Sequence, residues 1–324
     1  MSNNIRFGAV IYINELNRFW VEQAKKSGIS ILGLHPIGGK TADKFVGEAI
    51  DLIKKERFKS DIKALRDCGI AVEYEMHALS FMIPRCLFGI HPDWFRMDEN
   101  GNRVADFNIC PSSASALDEV SGKAAVLAGL FPSDTHDYHF WIDDVANAKC
   151  HCHLCRSLSA SDQAMIIYNA IARGIKRSDP LGRESYLAYC GTAAAPVTIS
   201  PEKNIFLEFA PFNRDLSAPI SDKTNPINAN EISPINSLLD FFGTENARIL
   251  DYWFDNSLLS DWKMPMKKFV PNTKVIESDI RFYTELGFRK ITGFACYLGE
   301  DYKNIYGEVP DISFNYPAQC GHIF

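Results

Sequence analysis

No stretch of the chain is long and apolar enough to cross a bilayer, no charged start leads into an apolar signal segment, and no lipidation motif marks either end. These absences lead us to expect no membrane partner and a cytoplasmic protein as the chain stands, or a periplasmic one if a leader has been removed. Positive charge is also short. The 34 Lys and Arg stand against 40 Asp and Glu, a formal net charge of -6, which leaves no basic stripe for a phosphate backbone and argues against nucleic acid as a partner. No glycine-rich phosphate-binding turn follows the first predicted strand, which removes the signature of a doubly wound dinucleotide-binding sheet. Internal repeats, low-complexity tracts and dividing linkers are missing too, so residues 1–324 read as one domain. Nine cysteines, an odd number without a secretory leader, fit buried thiols with room for one metal site better than a disulfide framework.

What is present is ample core material, 46% hydrophobic and 12% aromatic residues, in an alternating pattern. β-rich runs cover Phe7–Tyr12, Ser30–His35, Ala71–Ala78, Tyr138–Asp144, Glu184–Gly191, Asn204–Pro211, Ala247–Asp255 and Lys290–Leu298. Helical periodicity fills Asn17–Lys26, Ala42–Asp67, Ala114–Leu130, Ser161–Arg177, Glu231–Phe242 and Lys274–Leu286, with Gly69, Gly243 and Gly287 where helices should stop. Thr192–Lys203 is too short and Pro-bearing for a helix, and the short segment after Leu298 looks irregular. Eight strands with intervening helices predict an α/β fold of the (β/α)8 TIM-barrel type, with irregular loops longest after the third and sixth strands.

In such a barrel one parity of each strand faces the helices and is apolar, while the other faces inward. Val72, Tyr74 and Met76 then turn Glu73, Glu75 and His77 inward; Ile205, Leu207 and Phe209 turn Glu208 inward. In the seventh strand Leu250, Tyr252 and Phe254 form the expected outer set, leaving Asp251, Trp253 and Asp255 inside. His35, Tyr189 and Tyr297 lie near the ends of the second, fifth and eighth strands. A single inward acid pairs with a core Arg or His about as readily as it catalyses, and Glu73 and Asp251 carry that structural reading. Six polar strand ends converging on one rim point to a site there.

The stretch His139–Cys155, HFWIDDVANAKCHCHLC, joins an apolar strand to the adjacent carboxylates Asp143 and Asp144 and then to cysteines in C-x-C-x-x-C spacing. Together with HPDWFRMDENGNRV (His91–Val104), NICPSS (Asn108–Ser113) and DYW (Asp251–Trp253), it resembles bacterial glycoside hydrolases of glycan-utilisation loci, long catalogued as a domain of unknown function, some of which are endo-β-N-acetylglucosaminidases. The resemblance covers roughly residues 75 to 300. Family members are often longer, and the chain departs from them at Ser113-Ala114, where an Asn-Pro-acidic turn is typical, and at Asp143, where Asn is frequent.

The resemblance implies an oligosaccharide substrate containing a β-linked N-acetylhexosamine, cleaved without a cofactor. Related barrel hexosaminidases use an adjacent acidic pair after the fourth strand, one member orienting the substrate's 2-acetamido nucleophile and the other protonating the leaving oxygen. On that scheme Asp144 is the general acid/base and Asp143 the acetamido partner; Glu208 or Asp255 across the barrel is the second carboxylate if the substrate does not assist. Trp94, Tyr189, Trp253 and Tyr297 are candidate sugar platforms, because a pyranose presents an apolar C–H face. Core packing is the competing role for each.

Cys150, Cys152 and Cys155 are close enough to share one soft metal, and Cys110 is the best fourth ligand for a structural zinc, with His151, His153 and Cys190 in reserve. A cysteine-rich loop that simply stays reduced is the plain alternative, and the spacing differs from that of radical iron-sulfur barrels. Two further functional classes fit the rim: a metal-dependent hydrolase built on His35, Glu75, His77 and Asp144 or Asp255, and a catalytically idle glycan-binding barrel. Neither the linkage nor the oligomeric state is written in these motifs.

Overall fold

The structure, a computed structural model, describes residues 5–146 and 148–313. Its strands are β1 (Arg6–Tyr12), β2 (Ile31–His35), β3 (Ala71–His77), β4 (Asp137–Trp141), β5 (Arg183–Ala188), β6 (Ile205–Phe209), β7 (Ala247–Asp251) and β8 (Lys290–Phe294). They pair in sequence order, all parallel, and β8 closes onto β1 with Arg6 opposite Lys290 and Val10 opposite Phe294. The expected (β/α)8 barrel is what forms.

The helices are α1 (Arg18–Ser27), α2 (Ala42–Leu52), α3 (Glu56–Asp67), α4 (Leu79–Met82), α5 (Ala114–Leu130), α6 (Ala160–Ser178), α7 (Pro226–Ile232), α8 (Ile235–Phe242), α9 (Asn256–Leu259), α10 (Thr273–Glu285) and α11 (Glu300–Tyr306). Two expected helices are pairs. Residues 42–67 break at 53–55, and the helix expected over Glu231–Phe242 begins earlier and is divided near Pro234, whose missing N–H and ring deny a continuous hydrogen-bond ladder. The tail is not irregular throughout, since α11 follows β8; residues 314–324 lie outside those described. Gly69, Gly243 and Gly287 take φ of +77°, +80° and +101°, the backbone that ends a helix at little cost only for glycine.

No α-helix covers the β5–β6 link, as its composition predicted. The first turn of α6 organises it instead: Asp162 completes a capping box with Ser159, and its Oδ1 accepts the main-chain N–H groups of Val197, Thr198 and Ile199 at 2.9, 2.7 and 3.0 Å. Helix α6 also packs closely on α5. A Cβ added at Gly174 would lie 2.2 Å from the Ser121 carbonyl oxygen and 2.9 Å from Ala124 Cβ. Because backbone cannot yield as a flexible side chain does, Gly174→Ala is expected to lower unfolding free energy by about 2 kcal/mol, read from the denaturant midpoint. An unchanged midpoint would show that the two helices can separate freely.

Inside the barrel, Arg248 is the hub. Its guanidinium lies 2.6 Å from Glu73 Oε2, 3.2 Å from Glu75 Oε1 and 3.1 Å from Glu208 Oε1, and His139 Nδ1 is 2.9 Å from Glu208 Oε2. All five side chains are essentially inaccessible. Burial alone would raise Glu73, but Arg248 and His139 hold its carboxyl well below the usual range. Glu75, by contrast, is pushed up to about 7 by burial.

This hub corrects the parity of the seventh strand. Arg248, Leu250 and Tyr252 face inward, so Asp251 points out toward α10, where Arg214 lies at 2.8 Å and the Tyr283 hydroxyl donates at 2.8 Å. Trp253 points the same way and donates Nε1–H to Asp279 at 2.9 Å. Neither Asp251 nor Trp253 faces the barrel interior. Both belong to a buried cluster that fastens α10 to the sheet, with Arg214 pairing to Asp251 and Asp279 together.

Candidate active site at the barrel mouth

Above the Arg248 layer, the C-terminal ends of the strands enclose a cavity of 270 Å³. Its walls carry Tyr12, His35, His77, Trp141, Asp144, Tyr189, Tyr252, Asp255 and Phe294, and Trp262 stands half-exposed at its lip. The side chains arrive by strand geometry. Tyr12, His35, His77 and Trp141 are the last inward residues of β1 to β4, and the ordered sheet fixes each of them.

Asp144 sits just past β4, on the loop, with its side chain 29% exposed. Its Oδ2 accepts the Gly39 N–H at 2.9 Å and its Oδ1 accepts the Tyr189 hydroxyl at 3.2 Å, so both oxygens act as acceptors. The approach of Gly39 depends on bare backbone. Gly39 has φ +79°, and a Cβ at Gly38 would come within 3.0 Å of Asp144 Oδ2 and 3.2 Å of His77 Cδ2. His77 Nε2 is 4.0 Å from Asp144 Oδ1, while its Nδ1 donates to the Ile142 carbonyl at 2.7 Å. His35 likewise donates Nδ1–H to the Glu75 carbonyl at 2.7 Å, and burial, reinforced by His77, brings it down to about 4. A main-chain carbonyl thus fixes the tautomer of each imidazole and leaves Nε2 free for a ligand.

Asp255 enters from beyond β7 as the N-cap of α9. One oxygen accepts the N–H groups of Ser257 and Leu258 and the Ser257 hydroxyl. Burial outweighs these donors and pushes Asp255 up to about 6. The cavity therefore joins two carboxyls in different surroundings: one partly exposed with a donor on each oxygen, the other enclosed and raised.

The remaining predicted site residues lie elsewhere. Asp143 turns away from Asp144, its Oδ2 held by Arg85 and by the Asn108 N–H, and its own N–H donates to Asn108 Oδ1 at 3.1 Å. It lines a separate cavity of 40 Å³. Glu75 and Glu208 sit one layer below the floor in the Arg248 hub, although Glu208 reaches the floor indirectly by accepting Trp141 Nε1–H at 3.1 Å. Trp94, on the long loop after β3, stacks on His91 with centroids 4.2 Å apart and donates to Ser115 at 2.8 Å. Tyr297 stands behind Tyr12, ring centroids 5.6 Å apart, and lines an adjoining cavity of 230 Å³. Of the ten residues expected to bind substrate, four (His35, His77, Tyr189 and Asp255) share one wall system with Asp144.

Metal-ligating atoms gather within 4.8 Å of one another at two places among the described residues: Glu73, Glu75 and His139, and the four cysteines 110, 150, 152 and 155. His35, His77, Asp144 and Asp255 do not form such a set.

The sequence matches the family described as Domain of unknown function (DUF4838) over residues 51–304. The chain belongs to this family. The match agrees at family level with the resemblance carried by the motifs between His91 and Trp253. No curated protein matches the chain. Among solved structures, a β-galactosidase from the psychrophilic Marinomonas ef1 is 11% identical with a TM-score of 0.50, the match covering 89% of this chain and 54% of that one. A second protein, described as a glycoside hydrolase, is 9% identical with a TM-score of 0.50, over 90% of this chain and 88% of its own. The chain thus spans about half the length of the first and most of the second, and at these identities the likeness shows the fold alone.

In this DUF4838 member Tyr12, Trp141, Tyr252 and the Gly38-Gly39 pair also line the cavity, and none of them was expected there from the sequence. The adjacent glycines in the loop shortly after the second strand carried the usable signal, since two such residues near a strand end often let backbone approach a ligand or a side chain. No helix among the described residues is long and apolar enough to cross a membrane.

Proposed function

We propose that the chain is a glycoside hydrolase whose working carboxyls are Asp144 and Asp255. The observation that carries this reading is that both line one aromatic-walled cavity, one after β4 and the other after β7, Asp255 enclosed and raised and Asp144 with a donor on each oxygen. Glycoside cleavage asks for that division: an acid to protonate the leaving oxygen and a carboxylate to meet the positive charge developing at the anomeric carbon. Asp255, raised to about 6, keeps its proton into mildly acidic solution and suits the acid. Asp144, accepting on both oxygens, suits the negative partner.

This division replaces the one expected from adjacency. Asp143 has its Oδ2 occupied by Arg85 and Asn108, and its part is to hold the loop that presents Asp144. A β-linked N-acetylhexosamine is the sugar we propose, because an acceptor-only carboxylate beside the Tyr189 hydroxyl can take up an acetamido N–H. Tyr12, Trp141, Tyr252 and Phe294 supply flat apolar faces for a pyranose ring. The likeness in fold to a β-galactosidase and to another glycoside hydrolase supports the reaction class.

The test is hydrolysis of a panel of aryl β-glycosides, including the N-acetylglucosaminide, across pH. If Asp255 must be protonated, kcat/KM holds below about pH 6 and falls about tenfold per unit above it. Asp255→Asn should cost about a thousandfold on poor leaving groups and far less on activated aryl ones, which need no proton. The sign for folding runs the same way: a carboxyl raised from 3.8 to about 6 adds stability below the lower value and loses it as pH rises through the higher one. A rate level from pH 5 to 8 would remove Asp255 as the acid. An N-acetylglucosamine thiazoline that fails to inhibit would remove acetamido participation, and sugar binding by calorimetry without turnover would leave a glycan-binding barrel.

A further inference from the structure

We propose that Cys110, Cys150, Cys152 and Cys155 bind one zinc ion that braces the active-site loops. All four are free thiols, all are buried, and with Met97 they form a small cluster separate from the main core. Cys110 Sγ lies 3.6 Å from that of Cys150, 3.7 Å from that of Cys152 and 4.0 Å from that of Cys155, and all four sulfurs fall within 4.8 Å of one another. Four sulfurs each about 2.3 Å from a central zinc form a tetrahedron with edges of about 3.8 Å. The spacing is therefore that of ligands around a shared ion. An all-sulfur tetrahedron selects a soft or borderline cation and rejects calcium and magnesium, and four protein ligands leave no open position for chemistry.

The surroundings suit a site carrying net negative charge. The Met97 N–H donates to Cys150 Sγ at 3.3 Å, the Ser112 hydroxyl lies 3.0 Å from Cys110 Sγ and 3.6 Å from Cys152 Sγ, and the Arg103 guanidinium interacts with Cys110. The ligand loop is also held in shape from outside. Gln163 of α6 accepts the Cys150 N–H at 2.7 Å and donates to the carbonyls of Cys150 and Cys155, both at 2.9 Å. His151, by contrast, turns toward Glu99 at 3.7 Å, and His153 and Cys190 are not among the clustered ligands.

The site joins two segments far apart in sequence, the loop after β3 that carries Cys110 and the loop after β4 that carries the other three. Asn108, two residues before Cys110, bonds Asp143 through both its N–H and its Oδ1, and Asp143 is the neighbour of Asp144. Closing the four sulfurs on one ion ties that framework together. The brace is independent of the glycosidase reading, and its test needs no turnover.

The full chain, purified under reducing conditions without chelator, is expected to carry about one zinc by elemental analysis, and a mercurial that takes up the thiols should release it stoichiometrically. Cobalt substituted into the wild type should give the intense visible bands and sulfur charge-transfer absorption of a tetrahedral thiolate site. Cys152→Ser and Cys155→Ser should retain less than about a tenth of the metal, while Cys68→Ser and Cys190→Ser keep it. The cobalt spectrum keeps the test decisive if the ligand variants fail to fold. Metal-free wild type with four thiols that alkylate readily in the native state would overturn the proposal, and one equivalent of iron with its own visible spectrum would overturn the choice of zinc.

Discussion

Asp144→Asn is expected to lower kcat/KM on any glycoside the wild type hydrolyses by about a thousandfold, while its thermal midpoint stays within about 2 °C. The substitution keeps the shape and one acceptor oxygen, so one of the two bonds from Gly39 and Tyr189 survives, and the partly exposed side chain leaves little buried charge to rebalance. On the proposed mechanism, it removes the negative charge facing the sugar's developing positive centre. Leaving-group chemistry separates this variant from Asp255→Asn. Loss of an acid is repaired by a good leaving group, whereas loss of the charge is not. Asp144→Asn should therefore be slow on activated and unactivated aryl glycosides alike. Wild-type rates in Asp144→Asn would take that residue out of the reaction altogether.

Arg248→Met is the substitution with the largest expected effect on folding. Methionine fills much of the volume, so the loss is almost wholly electrostatic. Glu73, Glu75 and Glu208 then share an inaccessible interior with His139 alone, and stranding buried carboxylates costs about 3–5 kcal/mol at neutral pH. Below pH 5 the carboxyls can take protons instead. In the variant their folded affinities for protons rise above the unfolded ones, so stability returns as pH falls, and the deficit in urea unfolding should shrink between pH 7 and pH 5. Adding Glu208→Gln to Arg248→Met should restore part of the loss at pH 7, a coupling that a double-mutant cycle measures directly. A deficit under about 1 kcal/mol would mean that the interior admits water or another cation.

The same arginine marks where reading the chain alone stops. Along Arg248-Ile249-Leu250-Asp251-Tyr252-Trp253, each parity holds apolar residues and one charge, so local alternation does not decide which side is in. The choice is made by β3 and β6, whose inward Glu73, Glu75 and Glu208 require a cation at that level, and Arg248 supplies it. Adjacency misled in a similar way at Asp143 and Asp144. The two carboxyls part company because Arg85 and Asn108, brought in from a loop many residues upstream, capture the first. What depends on short-range pattern was legible: the eight strands, the helix-ending glycines, and the two inward carboxylates of β3. The cysteines were legible for another reason. Three fall in one short run, and the barrel order puts the loop carrying the fourth beside it.

The buried charge layer also gives the cavity a direction. Arg248, Glu73, Glu75, Glu208 and His139 are buried across the barrel's waist, so the cavity above them is not continued as a channel along the barrel axis. On the proposed function, a saccharide would not thread through the barrel as through a ring. It would be presented at the mouth, and its products would leave from that same face.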